Sequence, residues 1–245
     1  MLRDAWNTHA DEWISWARTP GHDSYWRFHR DAFLPLVPSP GRLTLDVGCG
    51  EGRLGRDLAR IGHRVVGVDS SLTMVSAAVT HADAGGPAVV ADAAALPMPD
   101  AVADCVVAFM SLQDVDAMEA ALAEVARVLF VGGRLVMAIT HPLNTAGRFL
   151  PGPVEAERPF VVEGSWFERR AIADTCERDG HCMTFHSEHR PLHDYTDALS
   201  SAGFVIERIH EVGDSDPNSK WSRLPLFLHL RAVLFAPAPD ASNRD

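Results

Sequence analysis

The chain has 245 residues, 47% of them hydrophobic, enough for a full core in one α/β domain. No apolar run approaches the ~20 residues of a membrane span, and the polar, acidic opening MLRDAWNTHADEW reads as neither a signal nor a transit peptide, so a cytoplasmic protein is expected. A net charge of −11, with Lys220 the only lysine, argues against nucleic acid as a partner; the one basic stretch, WFERRA (166–171), reads as a solvated face. The four cysteines, Cys49, Cys105, Cys176 and Cys182, fit a reducing compartment. Cys176, His181, Cys182 and His186 contain no C-x2-C pair, so no metal is expected.

The first 35 residues carry four of the six tryptophans. Trp13 and Trp16 are spaced i, i+3, which suits either helix packing or an aromatic, helical lid over a pocket; Trp26, in the cation-bearing YWRFHR with Arg30, is the pocket candidate. From residue 42 to 142 apolar runs alternate with helical patterns. Strands are expected at 42–48, 64–70, 88–92, 105–112 and 134–140. Helices are expected at 53–62, 71–82 (capped by Ser70 or Ser71) and 117–129, the last closed by Gly132–Gly133. That alternation means a parallel sheet covered on both faces. Residues 143–190 break the pattern and are too long for a connection. They read as an insertion over the mouth of the sheet, with β structure near PFVVEGSWF and HCMTFHS. A helix at 191–204 and strands at 205–212 and 226–235 follow, the two strands an antiparallel edge pair. The tail from Ala236 has the composition of a disordered segment.

The stretch LDVGCGEGRLG (45–55) spells G-x-G-x-x-G from Gly50 and D-x-G-x-G-x-G from Asp46. The first register would be a dinucleotide fingerprint, with phosphates on the helix N-terminus. A carboxylate at the strand end, Asp46, repels a pyrophosphate and suits a ligand with a cationic amino group. Asp69, at the end of the second strand, can take ribose hydroxyls in either register. Asp92, at the end of the third, is placed for an adenine amino group, and no Tyr-x-x-x-Lys exists for hydride transfer. The ordered set DVGCGEG, VVGVDSS, ADAAALPMPDAVADCVVAFMSLQDV and EVARVLFVGGRLVMAITHP resembles the class I S-adenosylmethionine (SAM)-dependent methyltransferases of the small-molecule group, over residues 42–142.

That resemblance implies a Rossmann-like seven-stranded sheet ordered 3-2-1-4-5-7-6, strand 7 antiparallel, in one domain: lid 1–35, SAM-binding core 42–142, acceptor-binding insertion 143–190, and C-terminal helix and strands 191–236. It implies SAM as cofactor and S-adenosylhomocysteine as product. Asp46, Gly48, Cys49, Gly50, Met110 and Ser111 would lie at the methionine moiety, Asp69 and Ser70 at the ribose, and Met74, Asp92 and Ala93 at the adenine. Many relatives carry a histidine after the fourth strand where this chain has Gln113, which joins Trp26, Arg30, His189 and Arg190 as an acceptor-side candidate. Among the five histidines after the fifth strand (His141, His181, His186, His189, His193), His141 and His186 are the candidate bases. The expected partner is a small, specialised metabolite methylated at O, N or C by a monomer or homodimer, without nucleic acid or membrane. A SAM-fold protein that does not transfer methyl, cyclase-like or non-catalytic, is the alternative, and a protein methyltransferase a weaker third.

Overall fold

The computed structural model describes residues 1–235; the tail expected to be disordered lies outside the described residues. The main sheet has seven strands: β1 (Thr44–Val47), β2 (Val65–Asp69), β3 (Ala88–Val90), β4 (Ala103–Phe109), β5 (Leu129–Thr140), β10 (Phe204–Val212) and β11 (Phe227–Leu234). Their order is β3-β2-β1-β4-β5-β11-β10, with β11 antiparallel to both neighbours, the order expected from the resemblance. Two hairpins come between, β6 (Gly147–Phe149) with β7 (Phe160–Val162), and β8 (Arg170–Arg178) with β9 (His181–His189). The helices are α1 (Leu2–Thr8), α2 (Ala10–Arg18), α3 (Arg30–Phe33), α4 (Arg53–Arg60), α5 (Leu72–Thr80), α6 (Met118–Val128), α7 (Pro142–Thr145) and α8 (Leu192–Ser201). None is long and apolar enough to cross a membrane.

The alternation of side chains along a strand divides the core between the two faces of the sheet. On one face, Val106 and Ala108 of β4 and Leu135, Met137 and Ile139 of β5 meet Met118, Ala121, Leu122 and Val125 of α6 and Tyr195 and Leu199 of α8. On the other, Cys105, Val107 and Phe109 of β4 and Val136 and Ala138 of β5 meet Leu54 and Leu58 of α4, with Tyr25, Phe33 and Leu36 of the N-terminal segment. The i, i+3, i+4, i+7 spacing on α6 is what lets one helical stripe cover the sheet. Ser71, rather than Ser70, caps α5, its Oγ accepting the Met74 N–H at 3.5 Å.

Two local readings are corrected. Gly132–Gly133 does not close α6. The helix stops at Val128 and β5 starts at Leu129, the glycines falling inside the strand where the β4–β5 register shifts. Gly132 has φ +87°, so the pair forms a bulge that any side chain at 132 would strain. Strand β8 has no counterpart in the sequence reading. Its turn, Asp179–Gly180, has both φ values positive (+51° and +79°), the primed hairpin geometry that Asp-Gly favours.

A buried histidine pair ties the N-terminal segment to β11: His29 Nδ1 lies 2.9 Å from His229 Nε2, and both residues are fully buried. Burial lowers the pKa of both, His29 well below its usual range and His229 to about 4, with His210 adding to the depression of His229. The unfolded chain therefore binds more protons than the fold. The pair's contribution is complete above the unfolded pKa of ~6.5 and is lost as pH falls toward about 4. We expect denaturant unfolding to show a loss on the order of 3 kcal/mol across that window. The loss should be largely absent in the His29→Phe/His229→Leu double variant; equal pH slopes in the two proteins would assign the acid sensitivity elsewhere.

Candidate active site

At the carboxyl ends of β1, β2 and β3 stand Asp46, Asp69 and Asp92. The chain order of the sheet reverses between β1 and β4, and open α/β sheets place their ligands at that edge and crevice. Here a cavity of 1160 Å³ opens. That exceeds the usual 300–1,000 Å³ of a site for one small ligand, and so offers room for two.

The glycine loop forms one wall. Gly48, Gly50 and Gly52 have φ of +74°, +53° and +85°. Asp69 holds the loop: its Oδ2 accepts the Gly50 N–H and its Oδ1 the Ser71 N–H, both at 2.9 Å. Asp46 is almost completely buried, and its Oδ2 has no hydrogen-bond partner. Burial, then the charge of Asp69, pushes its carboxyl up to about 7. Asp92 accepts from Ala94 N–H through Oδ1, while Oδ2 is paired with Arg3 of α1 at 3.1 Å. Next to the loop, Arg53 is packed among the rings of Trp13, Tyr25 and Phe109 and paired with Asp23. Burial, then Arg56, lowers its guanidinium pKa to about 9.

Between the two ends lies the turn after β4. Met110 is a non-glycine residue with φ +53°, an uncommon conformation. Ser111 Oγ donates to Val47 O at 2.7 Å, binding β4 to β1. Asp114 lines the cavity with Oδ1 buried and unpartnered, and burial raises its pKa well above the carboxylate range against the opposing charge of Arg190. The far end of the cavity is aromatic. Phe149 stacks edge-on with Phe160 and Trp221, at 5.1 and 4.8 Å between centroids, and Phe227 also lines the cavity, while Phe109 lies beside Arg53 and Phe185 beside Trp13.

Residues 45–137 match the family model described as a methyltransferase domain. The demethylmenaquinone methyltransferase of Thermobifida fusca is 34% identical over 149 residues, covering 58% of this chain and 62% of that protein. That of Mycobacterium bovis BCG is 35% identical over 125 residues, 51% of either chain. The matched region thus spans less than two thirds of these relatives. A SAM-dependent methyltransferase structure from Mesorhizobium loti has TM-score 0.68 at 22% identity, over 86% of this chain and 98% of that one. The structure of the 4+2 cyclase SpnF has TM-score 0.63 at 17% identity, over 97% and 96%; at such identities the likeness is one of fold. Residues 45–137 are thus similar to a methyltransferase domain, in a chain whose fold is that of SAM-dependent methyltransferase structures.

The cavity gathers every residue expected at the cofactor: Asp46, Gly48, Cys49, Gly50, Asp69, Ser70, Met74, Asp92, Ala93, Met110 and Ser111 all line it. Of the acceptor-side candidates only Gln113 does, and its amide is spent on the backbone, Oε1 accepting from Thr140 N–H at 2.9 Å and Nε2 donating to Met110 O at 3.4 Å. Trp26 is corrected: it is 61% exposed and carries Arg30 on its face outside the cavity. Arg30 is held by Asp57, its Nε 2.9 Å from Oδ2. His189 is fully buried between Thr145 Oγ1 and Trp166 O, at 2.7 and 3.1 Å. Arg190 is buried behind the cavity, donating to the carbonyls of Leu112, Gln113 and Val115.

Of the two histidine bases, His141 is corrected as well. It does not line the cavity; Nδ1 caps α7 by accepting the Leu143 N–H at 3.0 Å, and Nε2 meets Glu211 at 3.1 Å. His186 does line it, stacked on His9 at 5.1 Å, with Nε2 buried and unpartnered. Asp114, Arg53, Lys220 and Trp221 line the cavity and were missed. A usable signal existed for Arg53, as a cation immediately after the glycine loop, and for Lys220, as the sole lysine beside a tryptophan.

The glycines are not equivalent. A Cβ on Gly48 would stand 2.3 Å from Ser111 Cβ, whereas one on Gly50 meets only Trp13 Nε1, at 3.4 Å. Gly48→Ala should therefore destabilise by roughly 2 kcal/mol or more and displace the loop, and Gly50→Ala by only ~1 kcal/mol, the cost of its backbone conformation. Thermal melting of both variants checks the order, and equal melting temperatures would refute it.

Proposed function

We propose that the domain binds SAM under β1–β3 and catalyses transfer of its methyl group to a small metabolite at the aromatic end of the cavity, releasing S-adenosylhomocysteine. The observation that carries this is the buried, partnerless oxygen of Asp46 beside a glycine loop in which a Cβ at Gly48 or Gly52 would collide with Ser111 or Ala78. A cationic amino group there compensates a carboxylate that is otherwise expensive to bury. Asp69 keeps free lone pairs for ribose hydroxyls, and Met74 and Ala93 flank the adenine place. Bound SAM supplies an electrophilic methyl on a sulfonium, so the chain's work is to position the acceptor and exclude water. Residues 143–190 form the acceptor-binding insertion in this reading, because they furnish Asn144, Phe149, Phe160 and Arg170 to the cavity.

The reading extends to a cytoplasmic enzyme, monomer or homodimer, acting on neither nucleic acid nor membrane. The acidic net charge and four free cysteines support it. A demethylmenaquinone-like quinol is one acceptor class consistent with the named relatives. Formation of S-adenosylhomocysteine with a methylated product distinguishes this function from SAM binding without transfer.

Because a carboxylate must be ionised to receive an ammonium, SAM affinity should rise with pH up to about 7, by as much as tenfold per unit, and level off above. Asp46→Asn should bind more weakly, by ~10-fold or more at neutral pH, with the slope flattened. Calorimetric titration from pH 5.5 to 8 decides this; a wild-type profile flat across the range would remove Asp46 from the donor site.

For an acceptor that arrives protonated, His186 is the candidate base, with Asp114 the competitor across the junction. His186→Gln should lower kcat by roughly 10²-fold and leave SAM affinity unchanged. If Asp114→Asn shows that loss and His186→Gln does not, the base is Asp114; if neither does, catalysis is positioning alone.

A further inference from the structure

Five cations line the cavity, Arg3, Arg53, Arg148, Arg170 and Lys220. Three are neutralised: Arg3 by Asp92, Arg53 by Asp23, and Arg148 by Glu163. Among the described residues the other two have no carboxylate within ion-pair distance. Arg170 uses one nitrogen, Nη2, on Thr145 O at 2.6 Å, leaving the rest of its guanidinium fork unspent. Lys220 lies over the Phe149 ring, its Nζ 5.4 Å from the centroid. In a chain of net charge −11, two half-buried cations without counter-ions are out of keeping with the rest of the surface. Both contact one short segment that lines the cavity, Arg170 at Thr145 and Lys220 at Phe149, and Phe149 packs against Phe160 and Trp221. The nearby carboxylates do not cancel them: Glu163 is taken by Arg148, and Asp174 is exposed to solvent.

Resting on the donor reading above, we propose that the acceptor is an aromatic acid. Its ring lies on the Phe149–Trp221 wall and its carboxylate is received by Arg170 with Lys220 as the supporting charge. The planar fork of Arg170 matches a carboxylate, while Lys220 acts as a mobile point charge that already sits on an aromatic face. A ring-borne hydroxyl or amine on the same molecule would then be held at a fixed reach from its own carboxylate, turned toward the junction of Met110 and Ser111. The acidic donor end repels the same carboxylate, so the two ends of the cavity impose one direction of entry.

The test uses the full chain and an isosteric pair of probes, 1-hydroxy-2-naphthoate and 1-hydroxy-2-naphthamide, titrated calorimetrically with and without S-adenosylhomocysteine. The acid should bind at least tenfold more tightly than the amide, with the difference shrinking as salt rises. Arg170→Gln and Lys220→Met should each weaken the acid several-fold and leave the amide unchanged. Lys220→Met breaks no hydrogen bond, so it keeps the test valid if Arg170→Gln loosens the Thr145 segment. Equal affinities for acid and amide, a preference that survives both substitutions, or no binding of either probe would each overturn the assignment. The S-adenosylhomocysteine titration is scored separately: its failure refutes the donor reading, while the comparison of probes without it still judges the aromatic-acid site.

Discussion

The Asp69 carboxylate joins two strands that the chain brings together only after a helix. By accepting the Gly50 N–H it fixes the loop leaving β1, and by accepting the Ser71 N–H it fixes the turn leaving β2. The clamp works beside two other anchors of the same loop, the Gly48 and Cys49 N–H groups on Val68 O and the Glu51 carboxylate held by Arg18 and Arg56. The clamp also creates an electrostatic problem. Asp46 and Asp69 interact as like charges in a poorly solvated pocket, and the fold has spent its nearby N–H groups on Asp69. Asp92 has been given Arg3, whereas Asp46 is left with an unpartnered oxygen. In the function proposed above, that unpartnered oxygen is where a cationic ligand group would be received.

The N-terminal helices close the same site by contacts of unequal strength. Arg18 of α2 reaches the buried Glu51 in the glycine loop at 3.1 Å, and Arg56 shares that carboxylate. The α1 contacts are more exposed: Leu2 and Arg3 N–H groups donate to Asp116, and Arg3 pairs with Asp92. Exposed pairs of this kind contribute roughly 0–1 kcal/mol each. Trp6 donates to His186 O, and Trp13 and Trp16 pack edge-on against Phe185, so the lid is also seamed to β9. The tryptophan spacing had two readings, packing and pocket, and the geometry uses both: Trp16 is buried, while Trp6 and Trp13 line the cavity. The first helix is therefore held to Asp92 and Asp116 by exposed contacts and to β9 by Trp6, and the second by Glu51 and Phe185.

What could be read from the sequence was whatever is encoded within one strand–loop–helix unit. The acids at the ends of β1, β2 and β3 and the glycines after β1 occupy places fixed by local chain direction, and all of them came together in the cavity. The rest of the cavity is assembled from α7, two hairpins and the β10–β11 connection, and no local rule places side chains across such distances. Trp26 and Arg30 were grouped by composition, but Asp57, on α4, turned Arg30 away. His189 and Arg190 sit at the end of β9, where burial rather than ligand took up their polar atoms. His141 was more legible than the reading allowed: a polar residue before Pro142, with proline in the first turn, is an N-cap pattern, and Nδ1 serves as that cap.

Arg190 shows how a residue with no access to the cavity can still govern it. Its guanidinium holds the carbonyls of Leu112, Gln113 and Val115, and its charge is the one that opposes the raised pKa of Asp114. The same turn starts at Met110, whose positive φ is a conformation that must be imposed by its surroundings. Here the imposing groups are the Met110 N–H to Ala138 O bond at 2.8 Å, the Gln113 amide, and Ser111 gripping Val47 O. These contacts fix the point at which β1, β4 and β5 converge between the acidic and aromatic ends. An in-line displacement tolerates little misalignment of its partners, so a rigid turn here is the arrangement that the proposed transfer would need. Gln113 fits that role: with its amide committed to Met110 O and Thr140 N–H, it is a brace for the junction in the place where many relatives carry a histidine.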